Sequence, residues 1–199
     1  MYTIKEQDGW YYLKKDGQQL HAPGGKVVKS MFKDLAERLA EDLEKYGEDP
    51  SDPVSLVAFH YAMTAFFLDN PRPMLEHSVE IGLSTDWDWT LANNPPDPHV
   101  WMAWVGLFGT PESQIEKGKE WVKSLTMMQL CATTVVGRYF ESVNIPYIVA
   151  TEIVPRKLSL KRFVQRIRKY NPYLDVDNCA KVLENFVFYF NVDKGEDTT

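Results

Sequence analysis

The sequence predicts an α+β protein, in which a small N-terminal antiparallel β hairpin or meander precedes a mostly α-helical domain. Short β-prone runs fill the first 30 residues and are separated by Asp-Gly and Gly-Gly pairs, which favour tight turns between strands. After residue 30, apolar residues recur three and four positions apart, the period of a helix. We therefore predict a small β domain over residues 1–30, a helical domain over 31–190 and a flexible tail over 191–199.

The predicted strands are residues 2–5, 10–14, 18–21 and 26–29, and the predicted turns are Asp8-Gly9, Asp16-Gly17 and Gly24-Gly25. We expect the covered face of this sheet to include Trp10, Tyr12 and Leu20, because aromatic and branched side chains pack well on a pleated surface.

The first helix is predicted from Ser30, a residue type that caps helix N-termini, to Gly47, which favours a helix end. Its outward face is acidic. A second helix is predicted over residues 54–68, with Asp52 as its N-cap and Pro53 in its first turn. This second helix is apolar nearly all round, so it should be buried on several sides.

A shorter helix is predicted over residues 74–83. Residues 84–99 (STDWDWTLANNPPDPH) are predicted to form an ordered, irregular connection, because Asn, Asp and Pro are frequent there. One long helix follows over 111–140, with Gly137 as the site of any break. Further helices are predicted over residues 142–154, 159–169 and 175–190.

Composition narrows the class of protein. A formal net charge of -6 argues against generic, charge-driven binding to nucleic acid, and no apolar stretch reaches the roughly 20 residues of a membrane span. Cys131 and Cys179 are too far apart for a CxxC motif and suit a reducing compartment. Glu6 and Asp8 stand where a targeting leader would carry Lys or Arg. We expect a cytoplasmic protein with no membrane span, for which nucleic acid is a disfavoured partner.

The common catalytic signatures are absent from the sequence: it has no GxxxxGK[ST], no GxGxxG, no GxSxG and no HExxH. We therefore favour a non-enzymatic protein, with no catalytic residues, no metal and no cofactor. One alternative is an enzyme whose site lies between the two parts of the chain. Its metal ligands or acid/base groups would be Glu76, His77, Asp86 and Asp88.

Residues 156–169 (RKLSLKRFVQRIRK) contain seven Lys or Arg and no acid. Leu160, Phe163, Val164 and Ile167 add an apolar stripe at helical spacing, so the segment is a basic amphipathic helix in an acidic chain. Three interpretations stay open. The helix is a docking surface for an acidic partner, a contact for nucleic acid or phospholipid, or an ordinary surface helix balanced by the acidic helix at 30–46.

Two tryptophans, Trp87 and Trp89, fall in the predicted irregular connection, where core packing explains them less easily than it explains Trp101 and Trp104. Tryptophan is frequent among the anchor residues of protein interfaces. The predicted partner-binding residues are Trp87, Trp89, Arg162, Arg166 and Lys169.

The order of features resembles a known family. Residues 12–23 (YLKKDGQQLHAP), 26–28 (KVV) and 35–43 (LAERLAEDL) are similar to the opening of the ATP synthase assembly chaperones that hold the α subunit, the ATP-twelve type. That family has a "DGR.L.TP" stretch and a helix patterned "LA..IA.EW". Here Gln18 replaces the Arg, Ala22 the Thr, and Asp42-Leu43 the Glu-Trp. The likeness covers about the first 68 residues, with a fainter one over residues 141–167.

The resemblance implies a small N-terminal β domain followed by an all-helical domain, which agrees with the reading of the residues themselves. It also implies a non-enzymatic chaperone whose client is a protein, and an ATP synthase α subunit is the client that it suggests. The chain departs from the family at residues 162–169, which are basic where the family's last helices are acidic, and the family's functional Glu has no matching residue here. A nucleic-acid-binding accessory protein stays open as a further alternative.

Overall fold

A computed structural model describes residues 1–49, 54–92, 111–140, 142–155, 157, 159–170 and 175–192, and the side chains at 66, 84–92, 111–115, 166, 169 and 170 lie outside this description. A four-stranded sheet precedes a mostly helical remainder, so the α+β prediction is confirmed. The strands are β1 (Tyr2–Gln7), β2 (Trp10–Lys15), β3 (Gln18–Gln19) and β4 (Lys29–Ser30). The helices are α1 (Lys33–Tyr46), α2 (Leu56–Phe66), α3 (Arg72–Ala92), α4 (Pro111–Ser124), α5 (Met127–Phe140), α6 (Asn144–Ile148), α7 (Leu160–Tyr170) and α8 (Val176–Val192), with a π-helical segment (Val149–Ile153) after α6. Within the described ranges, no helix is both long and apolar enough to cross a membrane.

Two tight turns shape the sheet where the Asp-Gly pairs predict them. Asp8 and Gly9 have φ angles of 53° and 75°, and Asp16 and Gly17 have 49° and 83°. Both pairs therefore occupy the left-handed region that a two-residue hairpin turn of type I′ requires. β2 pairs antiparallel with β1 along one edge and with β3 and β4 along the other, so β2 is the central strand.

The two faces of β2 have different environments. Leu13 is fully buried and Tyr11 packs against the core, whereas Trp10 and Tyr12 are half-buried and are not among the residues that pack against it. The prediction that Leu20 is covered is confirmed, and the same prediction for Trp10 and Tyr12 is wrong. Because successive strand residues point to opposite faces, the burial of Leu13 places these two rings on the outer face.

Helix α1 begins later than predicted. Ser30 is a buried residue of β4, and its hydroxyl accepts a hydrogen bond from the Phe32 N–H at 2.9 Å instead of capping the helix. The helix ends at Gly47 as predicted, with a φ of 79° there. Its core-facing side chains are Leu35, Ala36, Leu39 and Leu43.

Helix α2 also begins later than predicted, at Leu56. Its N-cap is Ser55, whose hydroxyl accepts the Ala58 N–H at 2.9 Å. The predicted cap Asp52 lies outside the described residues, and the position assigned to it is wrong, because the helix starts four residues further on. Burial on several sides is confirmed, since residues 55–60 are all buried.

Helix α3 is longer than predicted. It runs to Ala92, so the prediction of an irregular connection is wrong for residues 84–92, while 93–99 lie outside the described residues. Residues 83–92 contain neither Gly nor Pro, and the first strong helix breakers are Pro95 and Pro96. The Asp residues at 86 and 88 are weak evidence for a turn when no such breaker accompanies them.

The predicted long helix over 111–140 is two helices. Thr126 caps α5: its hydroxyl accepts the Gln129 N–H at 3.1 Å, and the Gln129 side-chain oxygen accepts the Thr126 N–H at 3.2 Å. This reciprocal pair is a capping box. Gly137 does not break α5. A Cβ there would lie 3.3 Å from Val143 Cγ2, so the glycine permits close packing.

The three last predicted helices are present with small shifts in their ends. The helix predicted over 142–154 is α6 followed by the π-helical segment, in which the Val154 N–H donates to the Val149 carbonyl five residues earlier. The Asp175 carboxylate caps α8 by accepting the N–H groups of Asp177 and Asn178 at 3.1 and 3.0 Å. The buried residues of the sheet and of the described helices form one continuous cluster.

A buried polar pair lies inside this core. His60 Nδ1 is 2.6 Å from the hydroxyl oxygen of Tyr189, and both side chains are buried. His60 Nε2 has no hydrogen-bond partner among the described residues. Burial lowers the pKa of His60 to about 4, with the Lys29 carbonyl acting weakly in the opposite direction. The imidazole is therefore neutral at pH 7.

We expect acid to unfold the protein partly through His60. Between about pH 6.5 and pH 4 the unfolded chain binds a proton at this residue and the folded chain does not. Above pH 6.5 the neutral His60 has no such effect, and the contribution of this site to the free energy of unfolding is complete. As the pH falls from 6.5 to 4, the free energy of unfolding decreases by at most about 1.4 kcal/mol per pH unit because of this residue. Urea unfolding measured from pH 4 to pH 7.5 tests this. His60→Asn should reduce the slope of the free energy of unfolding against pH in this range. The control His77→Asn changes an exposed histidine and should keep the wild-type slope. Equal slopes for the wild type and His60→Asn would contradict the assignment.

The capping box should contribute measurably to stability. Thr126→Ala removes the hydroxyl that accepts the Gln129 N–H and should lower the free energy of unfolding by about 1 kcal/mol. Thr126→Ser keeps an acceptor at the same position and should cost much less. Chemical denaturation of the two variants provides the comparison, and equal losses would show that the hydroxyl does not act as a cap.

Candidate functional site

Helix α7 has one buried face and one basic face. Phe163, Val164 and Ile167 are buried, and α7 packs against α8. Lys161, Arg162 and Arg168 are exposed. The sequence-based expectation of an amphipathic helix is therefore confirmed, and the burial of its apolar face anchors the helix to the rest of the protein.

Three cations of α7 are described as exposed. Within the part of the chain that the structure describes, none of Lys161, Arg162 and Arg168 makes an ion pair, and α7 itself contains no acidic residue. On the other described helices, four cations have an acidic partner on their own helix: Lys33, Arg38, Arg72 and Lys119. The α7 charges therefore repel one another, and an acidic ligand would relieve that repulsion.

Two of the predicted partner-binding residues extend this face along the helix. Arg166 and Lys169 lie four and seven positions after Arg162 in α7, and that spacing places helix positions on one side. Their side chains lie outside the described part of the structure. We define the α7 basic face as Lys161, Arg162 and Arg168 together with positions 166 and 169.

Trp87 and Trp89 are the other two predicted partner-binding residues. The structure places both in helix α3, so the reason for choosing them, a position in an irregular loop, is wrong. Their side chains lie outside the described residues, and they are not included in the candidate site.

The four groups of the enzyme alternative do not come together. Glu76, His77, Asp86 and Asp88 all belong to helix α3. At 1.5 Å per residue, the ten positions from Glu76 to Asp86 span about 15 Å along the helix axis, which is beyond hydrogen-bond reach of a shared substrate. Among the described residues, no group of three or more His, Cys, Asp or Glu side chains is placed to hold a metal ion.

Glu76 has a structural partner that the sequence analysis missed. Arg72 Nε lies 2.7 Å from Glu76 Oε1, and its Nη2 donates to the carbonyl of Leu125 at 2.7 Å and to that of Lys123 at 3.3 Å. The guanidinium thus satisfies carbonyls at the C-terminal end of α4 and fixes that end to the start of α3. The Arg-x-x-x-Glu spacing was the available signal for the ion pair.

The two cysteines lack the features of a reactive thiol. Burial raises the pKa of Cys131 to about 12 and that of Cys179 to about 11, the second with help from the Asp175 carboxylate. Both sulfurs are therefore protonated at neutral pH, and a protonated thiol is a poor nucleophile.

A solvent-open cavity of about 360 Å³ lies between α3, α5 and the residues that lead into α6. Ser78, Gly82, Thr134 and Arg138 line it. The Arg138 guanidinium carbon lies 5.0 Å from the centre of the Phe67 ring, and the Thr134 hydroxyl donates to the Leu130 carbonyl. Both polar groups thus have structural partners, which makes the cavity a weaker candidate than the α7 basic face.

Comparison with known proteins gives no relative: no protein-family model, no curated protein and no solved structure matches the chain.

Stability measurements should separate the structural arginine from those of the α7 basic face. Arg72→Ala removes three hydrogen bonds in a partly exposed setting and should lower the free energy of unfolding by about 1–2 kcal/mol. Arg162→Glu should leave the free energy of unfolding unchanged or raise it slightly, because it relieves like-charge repulsion. Urea titrations of the two variants measure these changes in the free energy of unfolding. A large decrease for Arg162→Glu would mean that this residue supports the fold.

Proposed function

We propose that the chain is a non-enzymatic, chaperone-like binding protein that covers a surface of an unassembled protein subunit. The observation that carries this proposal is that Lys161, Arg162 and Arg168 of the α7 basic face are exposed and make no ion pair within the described residues, on a helix whose other face is buried in the core. A rigidly held charge cluster favours recognition of a partner with the opposite charge. The proposed client therefore presents an acidic surface.

The client to test first is an ATP synthase α subunit. Its support is the resemblance of residues 12–43 to the ATP-twelve assembly chaperones. Residues 162–169 are basic here, whereas the last helices of that family are acidic. The client surface that we propose for this chain is therefore acidic, which differs from the family. No cofactor or nucleotide takes part in the proposed binding. The compartment that we propose is the reducing cytoplasm, which suits the two unpaired thiols.

An apolar contact complements the charged surface in this proposal. Met74 and Ile81 are about half exposed, at 59% and 49%, and they lie seven positions apart on α3, which places them on one side of the helix. These two side chains are not a contiguous apolar patch, so in this proposal they add only a local apolar contact. The charged face would orient the client.

Binding of the purified chain to the unassembled α subunit from the same genome tests the proposal. The double variant Arg162→Glu/Arg168→Glu should weaken binding about tenfold or more, because two of the three described charges of the face change sign. The matched control is Lys33→Glu/Arg38→Glu, which makes the same charge change on α1, where both cations are already paired with acids. We expect less than a twofold effect for the control, measured by calorimetry at fixed salt.

Two results would overturn the proposal. One is the absence of a complex with the α subunit at micromolar concentration. The other is an equal loss of affinity in the α7 double variant and in the α1 control, which would show a net-charge effect only. A single-stranded oligonucleotide serves as the comparison ligand: if it binds more tightly than the subunit and its binding falls steeply with salt, the α7 basic face is a nucleic-acid surface.

A further inference from the structure

The sheet carries a second cluster of unpaired cations, on the face that points away from the core. Strand alternation and the pairing register place on this outer sheet face Thr3, Lys5, Gln7, Trp10, Tyr12, Lys14, Gln19 and Lys29. None of these eight positions is acidic. Two aromatic rings on the central strand are thus surrounded by three lysines.

The register brings two of these lysines beside one ring. Lys5 of β1 and Lys29 of β4 are each directly opposite Tyr12 of β2, so the three residues form a row across the sheet. Neighbouring strands lie about 4.8 Å apart, which puts the two lysine backbones about 10 Å from each other with the tyrosine between them. Lys14, two positions along β2 from Tyr12, is on the same face about 7 Å away.

The Lys29 ammonium is held in place by the rings. Its Nζ lies 4.0 Å from the centre of the Trp10 ring and 5.7 Å from that of Tyr12, both within cation–π range. This contact fixes the position of the charge and leaves it without a carboxylate among the described residues.

Two nearby lysines outside this face make ion pairs. Lys15, which follows the face on β2, pairs with Glu48 at 2.7 Å, and Lys26 pairs with Asp69. Lys5 and Lys14, like Lys29, make no ion pair with any described carboxylate. In this part of the molecule the unpaired lysines are therefore those that share a face with Trp10 and Tyr12.

We propose that the outer sheet face binds an extended acidic segment of a protein partner. Carboxylates of the segment would pair with Lys5, Lys14 and Lys29, and an apolar side chain between them would lie against Tyr12. In an extended peptide, alternate side chains point the same way about 7 Å apart, which matches the spacing from Tyr12 to Lys14. This surface is separate from the α7 basic face, and the proposal stands whether or not the α subunit is the client.

An acidic peptide fits this face better than a single-stranded nucleic acid. A base that stacked on Trp10 would need the ring face over which the Lys29 ammonium now lies at 4.0 Å. A carboxylate can instead pair with that ammonium where it is. Charge complementarity is thus obtained without displacing the cation–π contact.

The experiment uses the full chain and three labelled probes: an eight-residue peptide with Glu at alternate positions and a central Leu, the same peptide with Lys for Glu, and an eight-nucleotide oligouridine. Fluorescence anisotropy at low salt should give a dissociation constant below about 1 mM for the Glu peptide. The other two probes should bind more weakly than the Glu peptide. Lys5→Glu/Lys29→Glu should weaken binding of the Glu peptide at least tenfold. The control Lys33→Glu/Arg38→Glu, of equal charge change, should alter it less than twofold.

Three results would overturn the proposal: no binding of the Glu peptide, equal losses in the face variant and the control, or tighter binding of oligouridine than of the Glu peptide. A thermal unfolding curve for each variant shows that it is folded. Trp10→Ala adds a second variant that changes no charge. It should also weaken binding of the Glu peptide, because Trp10 positions the Lys29 ammonium, and an unchanged affinity would count against the role of the ring.

Discussion

The buried hydrogen bond between His60 and Tyr189 links, through the core, the elements that carry or adjoin both basic surfaces. It joins α2 to α8 at 2.6 Å inside the core, and Tyr189 also stacks on Phe59 with ring centres 5.2 Å apart. α8 carries α7 on its side, so the contact helps to set the orientation of the α7 basic face. On the opposite side, the Lys29 carbonyl of β4 is close enough to influence the imidazole. A polar pair in a core is specific in a way that apolar packing is not, because only one arrangement satisfies it.

The distribution of ion pairs gives a chain of net charge -6 two surfaces that attract acids. Some cations form ion pairs that link parts of the fold, as Arg72 does with Glu76 and Lys15 with Glu48. On the described part of α7 and on the outer sheet face they are clustered and make no ion pair with a described carboxylate. Clusters of this kind do little for stability. They create local fields of one sign that steer an oppositely charged partner, even when the whole chain repels anions at long range.

Local signals were the part of the fold that the sequence could predict. Asp-Gly turns, the helix end at Gly47 and the amphipathic helix at 159–169 depend on a few neighbouring residues, and all three are confirmed. Helix caps were harder to predict: Ser30 is a residue type that caps helices but is buried in a strand, and Thr126, which caps α5, was not recognised. Contacts between distant segments had no local signal at all. His60 and Tyr189 are 129 positions apart, and the pairing state of each lysine depends on carboxylates brought near by the fold.

The central claim is that unpaired cations, and not cations in general, contact the partner. Amine-reactive cross-linking of the complex with the ATP synthase α subunit, read out by mass spectrometry, tests it directly because paired and unpaired lysines are both exposed on this chain. We expect cross-links from Lys161 to the subunit, and these are lost when the subunit is omitted. Cross-links confined to the paired lysines Lys33 and Lys119 would contradict it.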